Sequence, residues 1–123
     1  MTAHGAADHP ITVVLVDDHR VVRNGVCAYL EQVADIEVVG EAATGAEALH
    51  RIAAMEPGDG LPDVVLMDMV MPVMNGVAAT RAIKLRWPVI EVVAMTSFIE
   101  ESTVREALEA GAAGYLLLSL IHI

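Results

Sequence analysis

Residues 62–69 read PDVVLMDM, an apolar run of strand length that turns acidic at its C-terminal end. Val64 to Met67 show no alternation of polar and apolar positions, so a strand here must be covered on both faces. Three more segments follow the same plan: ITVVLVDD at 11–18, IEVVGEA at 36–42 and VIEVVAMTS at 89–97. Runs of this kind are expected of a parallel sheet with helices on each side.

The segments between them have helical spacing. Val22, Val26, Tyr29, Leu30 and Val33 form one apolar stripe; Leu49, Ile52 and Ala53 form another, which opens on a capping box from Thr44 to Glu47. A third helix is expected to start near Asn75-Gly76 and to stop at Trp87-Pro88, because proline restrains the residue before it. A fourth runs from about Glu100 to Ala110 and ends at Gly111 as a left-handed cap. With YLLLSL (115–120) as a fifth strand, the order is β-α-β-α-β-α-β-α-β. That alternation implies right-handed crossovers and a doubly wound α/β fold.

The 123 residues suit one domain that closes its core without disulfides or a structural metal. Residues 1–10, MTAHGAADHP, lack a basic segment leading into an apolar one and read as a disordered lead. No apolar run reaches the ~20 residues of a membrane span. No membrane association is expected, and the location is expected to be cytosolic. The single cysteine, Cys27, excludes an internal disulfide and reads as a small apolar helix residue. A net charge of -10 would repel a phosphate backbone, so no nucleic acid is expected to bind this chain.

In open α/β sheets ligands bind beyond the C-terminal ends of the strands. Those ends carry Asp17-Asp18, Asp68 and Thr96-Ser97, which parallel strands would bring to one rim. Each has a plain structural reading on its own: Asp18 as a helix cap, Asp68 as a solvated strand end, Thr96 and Ser97 as turn residues. Together, three carboxylates on one rim repel and ask for a cation. Hard oxygen donors without His or Cys suit Mg²⁺. The five histidines, His4, His9, His19, His50 and His122, show no ligand spacing; His19 adjoins the acidic pair and has two readings, contact with the site and, favoured, a solvated helix start. There is no G-x-G-x-x-G and no P-loop, and the acidic first loop disfavours a flavin phosphate.

The stretches VVLVDDHRVVRNGVCAYL, EVVGEAATGAEAL, DVVLMDMVMPVMNG, VVAMTSF and ALEAGAAGYLL resemble the receiver domain of two-component response regulators. The Val-Asp-Asp-His opening and Gly-Tyr-Leu-Leu close look most like the NarL/LuxR-type subfamily, whose members carry a C-terminal helix-turn-helix DNA-binding domain. The resemblance implies a flavodoxin-like, five-stranded parallel sheet of order 2-1-3-4-5 over residues 11–118. It implies that Asp68 accepts a phosphoryl group from a histidine kinase, as a signalling phosphoacceptor rather than an enzyme. Asp17 and Asp18 match the Mg²⁺-holding pair, and the Val70 backbone carbonyl falls where the family supplies another ligand. Thr96 matches the hydroxyl that hydrogen-bonds the phosphoryl oxygens, and Tyr115 the aromatic switch residue. Met71-Pro72 and Gly76 match the loop after the phosphoacceptor.

Two positions depart from the family pattern. Leu118 stands where the family has a lysine whose ammonium contacts the phosphoryl group; a charge-assisted hydrogen bond of that kind contributes roughly 1.5–3 kcal/mol. Residues 119–123, SLIHI, provide neither the family's fifth helix nor a linker, and read as a frameshift or cloning scar rather than a natural truncation. A sheet face and first-helix stripe left without that helix are expected to be exposed and to drive self-association. Leu118 also allows a second function, a phosphorylation-independent interaction module. An aspartate-nucleophile phosphatase would want an acid two residues after Asp68, where Val70 stands.

Overall fold

A computed structural model describes residues 9–55, 60–71, 75–96 and 101–117. The elements alternate as the sequence predicts: β1 (Ile11–Val16), α1 (Arg20–Glu31), β2 (Ile36–Ala42), α2 (Gly45–Met55), β3 (Val64–Asp68), α3 (Gly76–Arg86), β4 (Glu91–Thr96), α4 (Glu101–Glu109) and β5 (Gly114–Leu117). The five strands form one parallel sheet in the order β2-β1-β3-β4-β5. This is the flavodoxin-like doubly wound arrangement, with its reversal of direction between β1 and β3.

The strand pleat divides the core in two. Val14 and Val16 of β1 join Val65, Met67, Val92 and Ala94 on the face packed by Ala48 and Ile52 of α2, Ala79 and Ile83 of α3 and Ala107 of α4. Val13 and Leu15 join Leu66 and Met95 on the opposite face, under Val26 and Cys27 of α1. Fully burying one Val, Leu, Ile or Met side chain contributes roughly 1.5–3 kcal/mol. Double-sided burial along β1, β3 and β4 therefore explains their unbroken apolar runs.

β2 is the exception to the two-face reading. It lies at the sheet edge, and its exposure alternates, with Glu37, Val39 and Glu41 facing solvent. The register slips there as well: Val13 pairs with Val38 and Val14 with Gly40, leaving Val39 as the extra residue of a bulge.

Local signals set the helix ends. The Thr44 hydroxyl accepts from the Glu47 N–H at 3.0 Å, and Glu47 reaches back to the Ala43 N–H at 2.7 Å, one residue further than in the usual capping box. The Asn75 side chain accepts from the Ala78 N–H at 2.9 Å and caps α3, which stops at Trp87. Gly111 has φ +113°; its N–H bonds to Leu108 O while the Ala112 N–H bonds to Ala107 O, a Schellman ending for α4.

Three expectations change. α1 ends at Glu31, so Val33 falls beyond the helix and is 37% exposed. The fifth strand covers Gly114–Leu117, and the rest of YLLLSL lies outside the described residues. The sheet face under α1 is only partly open: Leu15 and Met95 are fully buried and Leu66 nearly so, whereas Val93 and Leu116 on the same face are half-buried, and of the α1 stripe Tyr29 and Val33 are exposed.

Candidate functional site

Strand register builds the site. Val16 pairs with Met67 and Asp68 with Met95, so Asp17, Asp68 and Thr96 come to the same C-terminal rim of three neighbouring strands. Asp17 is 1%, Asp68 8% and Thr96 6% exposed, which is deep burial for two carboxylates. One ligand atom each from Asp17, Asp18, His19 and Asp68 falls within 4.8 Å of the others.

Individual contacts show how the acids are held. Asp17 Oδ1 accepts from the His19 N–H at 2.7 Å, bending the chain from β1 into α1. Asp68 Oδ1 accepts from the Val70 N–H at 3.0 Å. Asp18 does not cap α1, whose N-cap is His19. Its Oδ1 is buried and accepts no hydrogen bond among the described residues; the His19 Nδ1 lies 3.1 Å away in ion-pair range only. The His19 ring is 67% exposed, as a solvated helix start should be, yet its Nδ1 also sits 3.3 Å from Asp17 Oδ1. Both readings of His19 thus hold in part, the solvated helix start for the ring and contact with the acidic pair for Nδ1.

Burial, reinforced by the negative charges of Asp17 and Asp18, pushes the Asp68 carboxyl up to about 6, against the opposing pull of the Val70 N–H and His19. Repelling carboxylates, a buried orphan oxygen and a raised carboxyl are what a hard divalent cation would relieve, so the donor set fits Mg²⁺. Asp17, Asp18 and Asp68 would hold it. At Val70 the structure shows the N–H engaged with Asp68, while the side chain is 68% exposed.

Tyr115 stands beside Ala94 in the β4–β5 pairing, two residues before Leu117, which pairs with Thr96. Its ring packs against the core, and its buried hydroxyl has no hydrogen-bond partner among the described residues. Met71 is buried at 7%, whereas Pro72, Ser97 and Leu118 lie outside the described residues. Gly76 needs its missing Cβ: a side chain there would collide with the Asp68 carbonyl oxygen and approach Met69 Cα to 2.6 Å. The start of α3 thus presses directly on the backbone of Asp68. No helix among the described residues is long and apolar enough to cross a membrane.

A five-stranded parallel sheet of this order with an acidic rim defines a flavodoxin-like class of α/β domains. Within it, residues 13–118 match the model of the response regulator receiver domain, and the chain belongs to that family. It is 47% identical over 107 residues to the response regulator protein VraR of Staphylococcus aureus, covering 87% of this chain and 49% of VraR. The chain thus spans about half the length of the curated relatives it matches. Among solved structures, the receiver domain of the putative response regulator NarL from Mycobacterium tuberculosis superposes with a TM-score of 0.80 at 38% identity, covering 89% of this chain and 85% of that one. A LuxR-family two-component response regulator from Aurantimonas sp. superposes with 0.79 at 34% identity, over 89% and 75% of the two chains. These relatives agree with the NarL/LuxR-type resemblance.

Proposed function

We propose that this receiver domain accepts a phosphoryl group on Asp68 from the phosphohistidine of a histidine kinase, in a Mg²⁺-dependent reaction. The observation that carries the reading is the convergence of Asp17, Asp18 and Asp68 within 4.8 Å on the rim that also bears Thr96. A carboxylate oxygen of Asp68 attacks phosphorus, the N–P bond breaks, and its electron pair returns to the imidazole, leaving an acyl phosphate. Asp17, Asp18 and Asp68 would hold a divalent cation, which would supply charge neutralisation for the carboxylates and the phosphoryl oxygens. The Val70 N–H orients the Asp68 carboxylate, Thr96 hydrogen-bonds the phosphoryl oxygens, and Tyr115 relays the state of the site. The output is transcriptional control through a DNA-binding domain of the kind NarL/LuxR-type regulators carry. The setting is cytoplasmic.

A second reading follows from Leu118, which supplies no ammonium where the family has one. In it the chain is a phosphorylation-independent interaction module. Incubation with Mg²⁺ and a small acyl-phosphate donor, read by intact mass, separates the two. A single phosphate adduct lost in Asp68→Asn supports the first. No adduct on wild type, with one appearing in Leu118→Lys, supports the second.

A further inference from the structure

Arg23 lies on α1, one turn in from the acidic pair, and only 17% of its side chain is exposed. One guanidinium nitrogen donates to the Asp17 main-chain carbonyl at 2.7 Å, a short charge-assisted bond. Its Nε lies 3.3 Å from Glu41 Oε1, near the end of β2. The Arg23 N–H also bonds to His19 O at 3.0 Å, fixing the first turn from which the side chain projects.

We propose that Arg23 is a positioning residue for the divalent cation, acting by clamping the peptide plane between Asp17 and Asp18. The inference rests on the metal reading given above. A peptide unit is planar, so holding the Asp17 carbonyl also orients the Asp18 N–H and fixes the Asp18 Cα from which that carboxylate departs. The sheet does not do this unaided. Its last bond in this region runs from the Asp17 N–H to Ala42 O at 3.0 Å, on the other side of the Asp17 Cα. Between that bond and the first turn of α1, the plane is held from two sides, by the Asp17 Oδ1 bond to the His19 N–H at 2.7 Å and by Arg23 on the Asp17 carbonyl at 2.7 Å, and Arg23 is the one hold that draws nothing from the carboxylates themselves. The acids repel one another and would splay if the plane were free to turn. Glu41 holds the guanidinium in place, so the clamp joins β2, β1 and α1.

Arginine suits the role because its planar fork engages two acceptors in fixed geometry, whereas a lysine ammonium is a point donor. The charge alone is therefore not sufficient, and the prediction separates geometry from electrostatics. The test is calorimetric titration of Mg²⁺ alone into wild type, Arg23→Ala, Arg23→Lys and Glu41→Gln at one pH, with far-UV circular dichroism and the melting temperature without metal measured alongside. Removing partners that orient metal ligands weakens binding about 10–100-fold. We expect Arg23→Ala to weaken Mg²⁺ at least about tenfold, with Arg23→Lys and Glu41→Gln in between.

A merely structural role would lower the melting temperature and leave the Mg²⁺ dissociation constant alone. Arg23→Ala binding within about twofold of wild type would therefore overturn the proposal. Should Arg23→Ala fail to fold, the other two variants decide: weakened Mg²⁺ binding in Arg23→Lys upholds the clamp, and wild-type binding in both overturns it. Wild-type protein that takes up no Mg²⁺ would remove the metal reading itself, whereas equal binding by wild type and variants would remove only the role of Arg23.

Discussion

Val16 lies opposite Met67 in the parallel β1–β3 pair, so Asp17 and Asp68, the next residue on each strand, leave the sheet side by side. Their proximity is a property of register. A slip of one residue would turn each strand's side chains to the other face, exchanging the two halves of the core. The apolar sets of β1 and β3 therefore place the acids as firmly as any contact between them.

Asp68 should limit stability in the absence of divalent cations. Its folded carboxyl is raised from an ordinary 3.8 to about 6, chiefly by burial. Between those values the folded state binds more protons than the unfolded state, so stability falls as pH rises through that window and the loss is complete above it. Asp68→Asn is expected to stabilise the metal-free protein at pH 7 by about 1–2 kcal/mol, with little gain at pH 4. It is also expected to shrink the rise in melting temperature that millimolar Mg²⁺ gives wild type. Equal melting curves for the two proteins at pH 7 in EDTA would refute the first part, and a wild type indifferent to Mg²⁺ the second.

Gly76→Ala should be far worse than its single methyl suggests. The new Cβ meets backbone atoms of Asp68 and Met69, which have no rotamer by which to yield. Overpacking of this sort typically destabilises by about 1–3 kcal/mol. Chemical denaturation should show that loss. An unchanged denaturation midpoint would mean that α3 can withdraw from Asp68 without penalty.

Cys27 should be silent towards thiol reagents. Burial, with Glu41 and Glu31 adding negative charge, pushes its thiol up to about 11. The side chain is buried under the sheet face that α1 covers. At pH 8 an aromatic disulfide reagent is expected to react with native protein only as fast as it unfolds, and with one equivalent in denaturant. Rapid labelling of the folded protein would contradict the packing of α1.

Self-association is expected through Tyr29, 47% exposed, and Val33, 37% exposed, at the C-terminal end of α1. Sedimentation over a concentration series should show a mass rising above the monomer, and Tyr29→Glu with Val33→Glu should lower it. A clean monomer at high concentration would end the idea.

The buried strands were legible because two-face burial leaves an unmistakable unbroken run in β1, β3 and β4. The edge position of β2 was harder to read, since the Val38-Val39 pair of IEVVGEA matches the apolar runs of the buried strands and its Val39 bulge exists only relative to β1. Asp17, Asp18, Asp68 and Thr96 could be placed on one rim from strand ends alone. The reach of Arg23 could not, and the inward turn of His19 was legible only as the lesser of two readings, because both depend on how steeply α1 leaves the sheet. The spacing from Asp17 to Arg23 was the available signal: it sets a cation one helical turn past a strand end, where a main-chain carbonyl has run out of ladder partners.

Tyr115 carries a consequence of its own. A buried hydroxyl without a partner is disfavoured by about 1–3 kcal/mol, and swinging the ring outward would recover a bond to water. The same swing would forfeit the packing of the ring against the core, an effect of similar size. Two opposed forces of comparable magnitude leave the residue finely balanced. A single hydrogen bond of ordinary strength offered to the Tyr115 hydroxyl from inside the protein would be enough to hold the ring inward.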